Sequence, residues 1–315
     1  MLQRLILVST SIVDRIFAEH VAGHLGIELQ TFAKIEAAGP SLTKSDHIIF
    51  DSSDSEEVVS FEQVTKDFNS SQLHVISASP EKLCSTAEII ASRRFATWIT
   101  RPAASDQKDT EANSQFYALL LKSIDQNKPA FHEQEVGHET LTLEASIQKE
   151  MVVHAFMTNC QNNGCSSRVA DTVASAVDEM IMNAMYHAPR GGKSGRFTPD
   201  QFRDEVEMDP EKLIQVEMSF LKPFVHAAVT DRYGCLSRDI FLNRVSRSYN
   251  GFNQNSLASP EVTPGIGLAM VFRSGGNFFI DVEQDRRTTV HVFFEMTGQS
   301  RKAQNGYRFI AAHCR

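Results

Sequence analysis

Five short apolar runs alternate with amphipathic stretches through the first hundred residues, and this alternation limits the folds that are open to the chain. Each run has the length of a β-strand and is too short for a buried helix. Strands that alternate with helices favour a doubly wound parallel sheet. We therefore predict an α/β domain with a five-stranded parallel sheet over residues 1–125. The predicted strands are Arg4–Val8, Ile27–Thr31, His47–Phe50, Leu73–Ile76 and Phe95–Thr100. The predicted helices are Asp14–Leu25, Phe61–Asn69 and Ser114–Asp125.

Polar residues lie at the ends of three of these strands. Asp51 follows the third strand, Ser77 follows the fourth, and Arg101-Pro102 follows the fifth. Functional groups of doubly wound sheets gather at the carboxyl ends of the strands. The segment resembles the receiver domain of bacterial response regulators, in which an aspartate at this place accepts a phosphoryl group. The resemblance implies that Asp51, Ser77 and Arg101 form the corresponding site, with Arg101 in place of the lysine of that family.

The segment after the first strand departs from that family. Receivers carry an acidic pair there that holds Mg²⁺, whereas this chain has Ser9-Thr10-Ser11. Without the pair, a metal ion would have too few oxygen ligands, and phosphoryl transfer depends on a metal that neutralises the phosphate charge. We therefore expect a degenerate receiver that is not phosphorylated. In the alternative interpretation, Asp51 is a helix N-cap or a loop carboxylate.

A linker is predicted over residues 126–143, where periodicity is weak and Pro129 and Gly137 occur. We predict an α+β domain over residues 144–297, with a mixed sheet covered by helices. A basic tail follows over residues 298–315, and Tyr307–Ala312 within it has the pattern of a strand. The predicted helices are Glu144–Cys160 and Ser167–His187, and the predicted strands are Leu213–Leu221, Phe224–Thr230, Asn277–Val282 and Thr288–Met296.

Polar residues interrupt the apolar pattern of the second domain at a few places. Glu179 and Asn183 are four residues apart on an apolar helix and so share a face. Polar side chains inside such a helix need partners, which a nucleotide and Mg²⁺ would supply; otherwise they lie on the helix surface. Asp231 ends a predicted strand, and Gly265 and Gly267 open an apolar helix whose N–H groups can bind a phosphate.

The order of these elements resembles the ATP-binding domain of the GHKL superfamily, which DNA gyrase, histidine kinases and mismatch-repair proteins share. The anti-sigma-factor serine kinases are the most similar, since the chain has an Asn183-containing NAMYHA segment and a last strand that opens Thr288-Thr289-Val290. The resemblance covers about residues 144–297 and implies ATP and Mg²⁺ as ligands. It makes Asn183 the Mg²⁺ ligand, Glu179 the general base, and Asp231 the acceptor for the adenine amino group.

The same resemblance assigns Gly265, Gly267 and Leu268 to a lid near the phosphates, and Gly234 to the adenine motif. The motif departs from the family, because Tyr233 and Cys235 stand where glycines are usual and Gly234 is displaced. Thr263 likewise stands where the lid often has its first glycine. We expect nucleotide binding to survive these departures, but they do not favour fast turnover.

The predicted function is a signal-transduction protein that phosphorylates a partner protein on serine or threonine, or regulates it in an ATP-dependent way. One alternative is a non-catalytic ATP-binding scaffold. Another is an atypical histidine kinase, for which His138 before Glu139 is the one faint candidate phosphoacceptor. A metabolic α/β enzyme with its site at Asp51 and Ser77 is a further alternative, although no nucleophile–base pair lies beside them.

Charge and hydropathy exclude some partners. The chain has 31 basic and 39 acidic residues and a formal net charge of -8, whereas nucleic-acid-binding domains usually show a basic excess. No apolar run reaches the roughly 18 residues that a membrane span needs, and the apolar start is too short for a signal peptide. We therefore expect a cytoplasmic protein that binds no nucleic acid. Apolar positions on Glu144–Cys160 fit either a homodimer interface or the core.

The cysteines indicate a reducing compartment. The chain has five cysteines, which is an odd number, at irregular spacings. Only Cys160 and Cys165 are close, and their spacing fits neither a CxxC redox pair nor a zinc knuckle. We predict free thiols.

Overall fold

The computed structural model describes residues 2–53, 55–77, 95–101, 107–133, 136–190, 207–236, 241, 271–272, 274–297 and 307–314. The chain divides into two compact units. Unit 1 comprises Met1–Glu133 and Gln304–His313, and unit 2 comprises Gln134–Ala303 with the last two residues. The lid residues Gly265, Gly267 and Leu268, as well as Thr263, lie outside the described ranges. None of the helices within those ranges combines the length and the apolar character that crossing a bilayer requires.

Unit 1 is an α/β unit built on six strands. Its strands are β1 Arg4–Val8, β2 Glu28–Phe32, β3 His47–Asp51, β4 Leu73–Ser77, β5 Thr97–Thr100 and β11 Arg308–Cys314. Its described helices are α1 Ile12–Leu25, α2 Ile35–Ala38, α3 Ser55–Val64 and α4 Gln107–Gln126. The strand order is β2-β1-β3-β4-β5-β11. The first five strands pair in parallel, and β11 pairs antiparallel with β5.

The five-stranded parallel sheet predicted from the sequence is therefore confirmed. The order of its strands reverses at β1, because β2 lies on one side of β1 and β3 on the other. Crossovers of the usual right-handed kind on the two sides of β1 would place helices on both faces of the sheet. Helix α1 packs against α4, and α2 packs against α3. Asp51 ends β3, so it lies at the edge where doubly wound sheets bind ligands.

The last strand of the chain belongs to the core of unit 1. The ring of Tyr307 stacks on Phe17 with centroids 4.2 Å apart, and Phe309 stacks on Tyr117 at 5.2 Å. Such pairs add about 0.5–1.5 kcal/mol to the stabilisation from burying the rings. Every residue of β5 is buried, whereas the edge strand β2 is half-exposed. The segment predicted as a tail, 298–315, thus contains a strand of unit 1, and the strand pattern seen at Tyr307–Ala312 is confirmed.

Unit 2 is a helix-covered antiparallel sheet in its described part. Its strands are β6 Val136–Leu143, β7 Ile214–Leu221, β8 Phe224–Asp231, β9 Asn277–Glu283 and β10 Arg287–Glu295. Their order is β9-β10-β8-β7-β6, and each described pair is antiparallel. Its helices are α5 Lys149–Asn162 and α6 Ser167–Met182. Helix α6 contacts β8 and β10, and α5 packs against α6.

Some sequence predictions were wrong at their boundaries. The predicted linker, 126–143, contains β6, which is mostly exposed because it is the edge strand and so lacks a strong apolar pattern. The helix predicted at Phe61–Asn69 is α3, which begins and ends earlier in the chain. Helix α5 begins at Lys149 and buries Val152, Phe156 and Cys160. Ile147 and Met151, two apolar positions of the predicted helix Glu144–Cys160, are exposed, so they do not belong to the core. The homodimer alternative stays a prediction.

Two histidines form a buried pair between neighbouring strands of unit 1. His47 begins β3, and its Nδ1 lies 3.0 Å from Nε2 of His74 in β4. Burial lowers the pKa of His47 to about 4, and it lowers the pKa of His74 well below the ordinary range. Both rings are therefore neutral in the folded protein at neutral pH, and the pair acts as a hydrogen-bonded part of the core.

Acid should destabilise unit 1 through this pair. The pKa of His47 is about 4 when folded and about 6.5 when unfolded, so between these values the unfolded chain binds more protons. The stabilising contribution is complete above pH 6.5 and is lost as the pH falls towards 4. The expected loss is about 2 kcal/mol at pH 5.

Urea unfolding of the wild type, His47→Gln and His24→Gln at pH 7 and pH 5 measures this loss. His47→Gln should reduce the difference in the free energy of unfolding between pH 7 and pH 5. His24→Gln is the control and should preserve this difference, because the His24 side chain is exposed. Equal pH dependence in all three proteins would contradict the assignment.

Candidate functional site

A pocket in unit 2 brings together three polar residues from separate elements. Asn183 follows α6, Asp231 ends β8, and Thr288 lies near the start of β10. Its walls are mostly apolar and come from α6 and the turns that follow it, from β8 and the loop that follows it, and from β10. The other described lining residues are Met180, Ala184, His187, Ala188, Val229, Cys235, Leu236 and Val290. An apolar pocket with a few convergent polar groups is the usual form of a small-molecule site.

The Asp231 carboxylate is held in a fixed position in this pocket. The residue is 6% exposed and lies directly opposite Thr288 in the β8–β10 register. Its Oδ1 accepts the main-chain N–H groups of Tyr233 at 2.8 Å and Gly234 at 3.3 Å. Burial raises the pKa of Asp231, while these N–H groups and Thr288 counteract the rise. These hydrogen bonds hold the Asp231 carboxylate in place at the wall of the pocket.

Gly234 has a structural reason to be glycine. Its φ is +64°, and a Cβ at this position would lie 2.5 Å from the Arg286 nitrogen and 2.7 Å from the Asp285 nitrogen. It would also contact the Glu283 carbonyl oxygen. The loop after Asp231 therefore packs backbone to backbone on the β9–β10 turn. This packing explains the displaced glycine of the predicted adenine motif without a ligand.

Asn183 lies where α6 changes into a wider turn. The helix ends at Met182, and Asn183–His187 forms a single π-helical turn. Such turns are frequent at functional sites. The Asn183 Nδ2 donates to the Glu179 carbonyl at 2.7 Å, which orients the amide and leaves its Oδ1 as an acceptor. Among the described residues, no group of three or more histidine, cysteine, aspartate or glutamate side chains could hold a metal ion.

Glu179 lines a different cavity from Asn183. That cavity lies beside α5 and α6 and also contains Asp171, Ser175 and Ser274. Burial raises the pKa of Glu179, the negative charge of Asp178 raises it further, and Lys149 opposes the rise. Residues four apart on a helix point about 40° apart, so they can open into neighbouring cavities. The shared face therefore does not bring Glu179 into the pocket of Asn183 and Asp231.

In unit 1, one guanidinium joins two carboxylates. Arg101 donates from Nε and Nη2 to Asp14 at 2.8 and 2.5 Å, and from Nη2 to Asp51 at 2.7 Å. Its main-chain N–H donates to the carbonyl of Ser77 at 2.9 Å, which fixes the start of the side chain. The structure thus brings Asp51 and Arg101 into direct contact, with Ser77 beside them through its main chain.

The fully buried carboxylate of this cluster is Asp14. It also accepts the hydroxyl of Ser9 at 2.8 Å and that of Tyr307 at 3.2 Å. Burial lowers the pKa of Arg101, but the hydrogen bonds to Asp14 and the charges of both carboxylates raise it above its ordinary value. Burial and the Asp14 charge also raise the pKa of Tyr307. Arg101 thus supplies a positive charge to both carboxylates of the cluster.

Asp51 is also engaged by its own loop. Its Oδ1 accepts the main-chain N–H of Ser53 at 3.0 Å and the Ser53 hydroxyl at 2.5 Å. These bonds agree with the interpretation of Asp51 as a loop carboxylate. Sequence reasoning missed Asp14 and Tyr307 as members of the cluster. The sequence did contain a signal for Asp14, namely an aspartate in the first turn of α1. It was missed because Asp14 lies five residues after Ser9 and not directly after strand β1.

The comparisons with known proteins assign no family. No protein-family model matches the chain, and no curated protein matches it. The resemblances stated from the motifs therefore rest on the residues themselves.

Gly234→Ala tests the close approach at the loop after Asp231. Gly26 is the matched control, because it has nearly the same φ, +66°, but open space around a Cβ. Gly26→Ala should lower the free energy of unfolding by about 1 kcal/mol through backbone strain alone. Gly234→Ala should lower it by at least about 2 kcal/mol, since main-chain atoms must also move. Equal losses in urea unfolding would contradict the packing argument.

Arg101→Ala should destabilise the protein strongly, because it leaves two buried or half-buried carboxylates without their cation. We expect a loss of about 3–5 kcal/mol in the free energy of unfolding. Arg15→Ala is the control, since its 2.9 Å pair with Glu19 is exposed, and it should change stability by less than about 1 kcal/mol. Wild-type stability should not respond to millimolar Mg²⁺. A small effect of Arg101→Ala, or Mg²⁺-dependent wild-type stability, would contradict the role of Arg101.

Proposed function

We propose that unit 2 binds Mg-ATP in the manner of GHKL domains and that the protein is an ATP-dependent regulator of a partner protein in signal transduction. The observation that carries this proposal is the meeting of Asn183, Asp231 and Thr288 in one pocket between α6 and the sheet. Those residues come from three distant parts of the sequence. Their types suit the two ends of an adenine nucleotide, since a carboxylate accepts from an amino group and an amide oxygen binds a metal.

Asp231 would recognise the adenine base. Its Oδ1 is occupied by the loop N–H groups, so Oδ2 would accept the exocyclic amino group. The apolar side chains of Met180, Val229 and Val290 would contact the purine faces. The enclosed volume is about 40 Å³, which holds a few water molecules. The amino edge of the base would therefore enter the pocket, with the rest of the purine towards its opening.

Asn183 fits a Mg²⁺ site in which the protein and the nucleotide phosphates both supply ligands. The bond from its Nδ2 to Glu179 leaves Oδ1 as a neutral oxygen ligand. Mg²⁺ in nucleotide sites is usually held by one or two protein oxygens together with substrate phosphates. The described residues of this region therefore suit a metal that arrives with the nucleotide. When bound, the ion would neutralise phosphate charge.

Phosphorylation of serine or threonine on a partner is a second candidate function. Burial raises the pKa of Glu179, and a carboxylate with a raised pKa is a better proton acceptor near neutral pH. Glu179 would take the proton of the attacking hydroxyl. Its position in the neighbouring cavity favours regulation by nucleotide binding as the primary function.

Unit 1 would be a degenerate receiver-like module that contacts the partner protein. Arg101 already pairs with both carboxylates that a metal would use, so this site does not fit Mg²⁺. Phosphoryl transfer to Asp51 would lack the required metal. The module would therefore act through its surface and not through phosphorylation.

Calorimetric titration of the full chain with Mg-ATP tests the proposal. We expect saturable binding, and we expect Asp231→Asn to weaken it at least tenfold, because Oδ2 becomes an NH₂ group that faces another amino group (about 1.4 kcal/mol or more). Asp285→Asn is the control, since this aspartate is exposed in the β9–β10 turn and its φ of +59° suits asparagine. It should bind ATP as the wild type does.

Two further measurements separate the candidate functions. GTP should bind more weakly than ATP, since guanine presents a carbonyl oxygen where adenine has its amino group. Glu179→Gln should retain ATP binding but lose any phosphate release or autophosphorylation if the kinase function is correct. Absence of ATP binding at millimolar concentration in the folded protein would overturn the nucleotide proposal.

A further inference from the structure

The turn between α5 and α6 brings two cysteines together. The main-chain N–H of Cys165 donates to the carbonyl of Cys160 at 3.0 Å, and that of Gly164 donates to Gln161 at 3.2 Å. Gly164 has a φ of +88°. These two bonds and the left-handed glycine define a Schellman motif, in which the residue after the glycine contacts the helix residue five positions earlier.

The geometry of the motif suits a disulfide. Standard bond lengths and the 3.0 Å hydrogen bond between Cys160 and Cys165 keep their Cα atoms within about 7 Å of each other. Disulfides span Cα distances of about 4.4–6.8 Å. Both residues are buried, with Cys160 at 0% and Cys165 at 7% exposure, and both are free thiols. The contact that is usually hydrophobic in this motif is here a pair of thiols.

The two thiols differ in acidity. The interaction between the two side chains lowers the pKa of Cys165 and raises that of Cys160, and burial raises the pKa of Cys160 further. Cys165 also lies two residues before the first residue of α6, and a helix N-terminus stabilises a thiolate. Cys165 is therefore the nucleophile of the pair, and Cys160 is placed to react with its oxidised form.

We propose that Cys160 and Cys165 form a reversible disulfide when the protein is exposed to hydrogen peroxide. The Cys165 thiolate attacks a peroxide oxygen, the O–O bond breaks, and hydroxide leaves to give a sulfenic acid. The Cys160 sulfur then attacks the Cys165 sulfur, and water leaves. In total, two thiols and one peroxide give one disulfide and two water molecules, and a dithiol reductant reverses the change.

The position of the turn gives this modification a structural consequence. Ser166 follows Cys165 at once, accepts the Val169 N–H as the N-cap of α6, and donates its own N–H to Met296 at 3.2 Å. Disulfide formation shortens the sulfur–sulfur distance to about 2.05 Å. Disulfide formation would therefore shift the residues at the start of α6, the helix that ends one residue before Asn183. The modification site itself stands whether or not the pocket binds a nucleotide.

Peptide mass spectrometry of the full chain tests the proposal. Reduced protein is treated with hydrogen peroxide, alkylated with iodoacetamide and digested with trypsin. Cleavage after Lys149 and Arg168 leaves both cysteines in peptide 150–168. This peptide should lose the mass of two hydrogen atoms and resist alkylation, and dithiothreitol should restore two alkylation sites. Cys314 is the reference for a cysteine outside the turn, since it is an exposed free thiol.

Three variants provide the controls. Cys165→Ser should slow the oxidation of Cys160 about tenfold, because the less acidic thiol is left alone. Gly164→Ala should slow disulfide formation, since alanine disfavours the φ of +88° although nothing blocks its Cβ. Cys314→Ser should leave the disulfide unchanged. In the wild type, the proposal would be overturned if both Cys160 and Cys165 could still be alkylated once Cys314 is oxidised. This outcome is read from the wild-type protein and so does not depend on whether a variant folds.

Discussion

The buried charge of Asp14 imposes the strongest single requirement on unit 1. An ionised carboxylate removed from water costs several kcal/mol unless charge and hydrogen bonds compensate it. Arg101 supplies both, and the hydroxyls of Ser9 and Tyr307 complete the shell. These partners lie 87, 5 and 293 residues away in the chain. The charge is therefore satisfied only when β1, β5 and β11 have all joined the sheet.

The same guanidinium takes the place that a metal ion would have in the proposed receiver-like site. Asp14 and Asp51 share one permanent cation, and this cation is part of the chain. A bound metal responds to its concentration in solution, whereas an arginine does not dissociate. A cation that belongs to the chain agrees with the proposed role of unit 1 as a contact module and does not favour a phosphorylation switch.

In unit 2, the register of one strand pair determines the pocket. Thr288 lies opposite Asp231 because β10 and β8 pair in that register. A slip of one residue would move the side chains of the shifted strand to the opposite face of the sheet. Gly234 maintains the alignment from the other side, since its loop lies directly on the β9–β10 turn. Helix α6, which ends one residue before Asn183, begins just after the Cys165 turn. The candidate pocket and the candidate redox site are thus connected through α6.

The sequence by itself determined the strands other than β6, most of the helices and most of the residue types of both candidate sites. Those features follow from periodicities of two and 3.6 residues and from the residues that end each strand, which are local signals. It also placed Asp51 beside Arg101, because parallel strands end at one edge of a sheet.

Only the tertiary structure decided the remaining features. It pairs β11 with β5, adds Asp14 and Tyr307 to the Arg101 cluster and makes 136–143 an edge strand. It also places the Glu179 side chain in a different cavity from Asn183. Each of these depends on contacts between residues that are far apart in the chain or on which helix face meets the sheet. Apolar residues such as Ile147 and Met151 fit a buried face by spacing, but the docking of Val152, Phe156 and Cys160 left them exposed. Burial is set by the neighbouring elements, and a local pattern does not specify those neighbours.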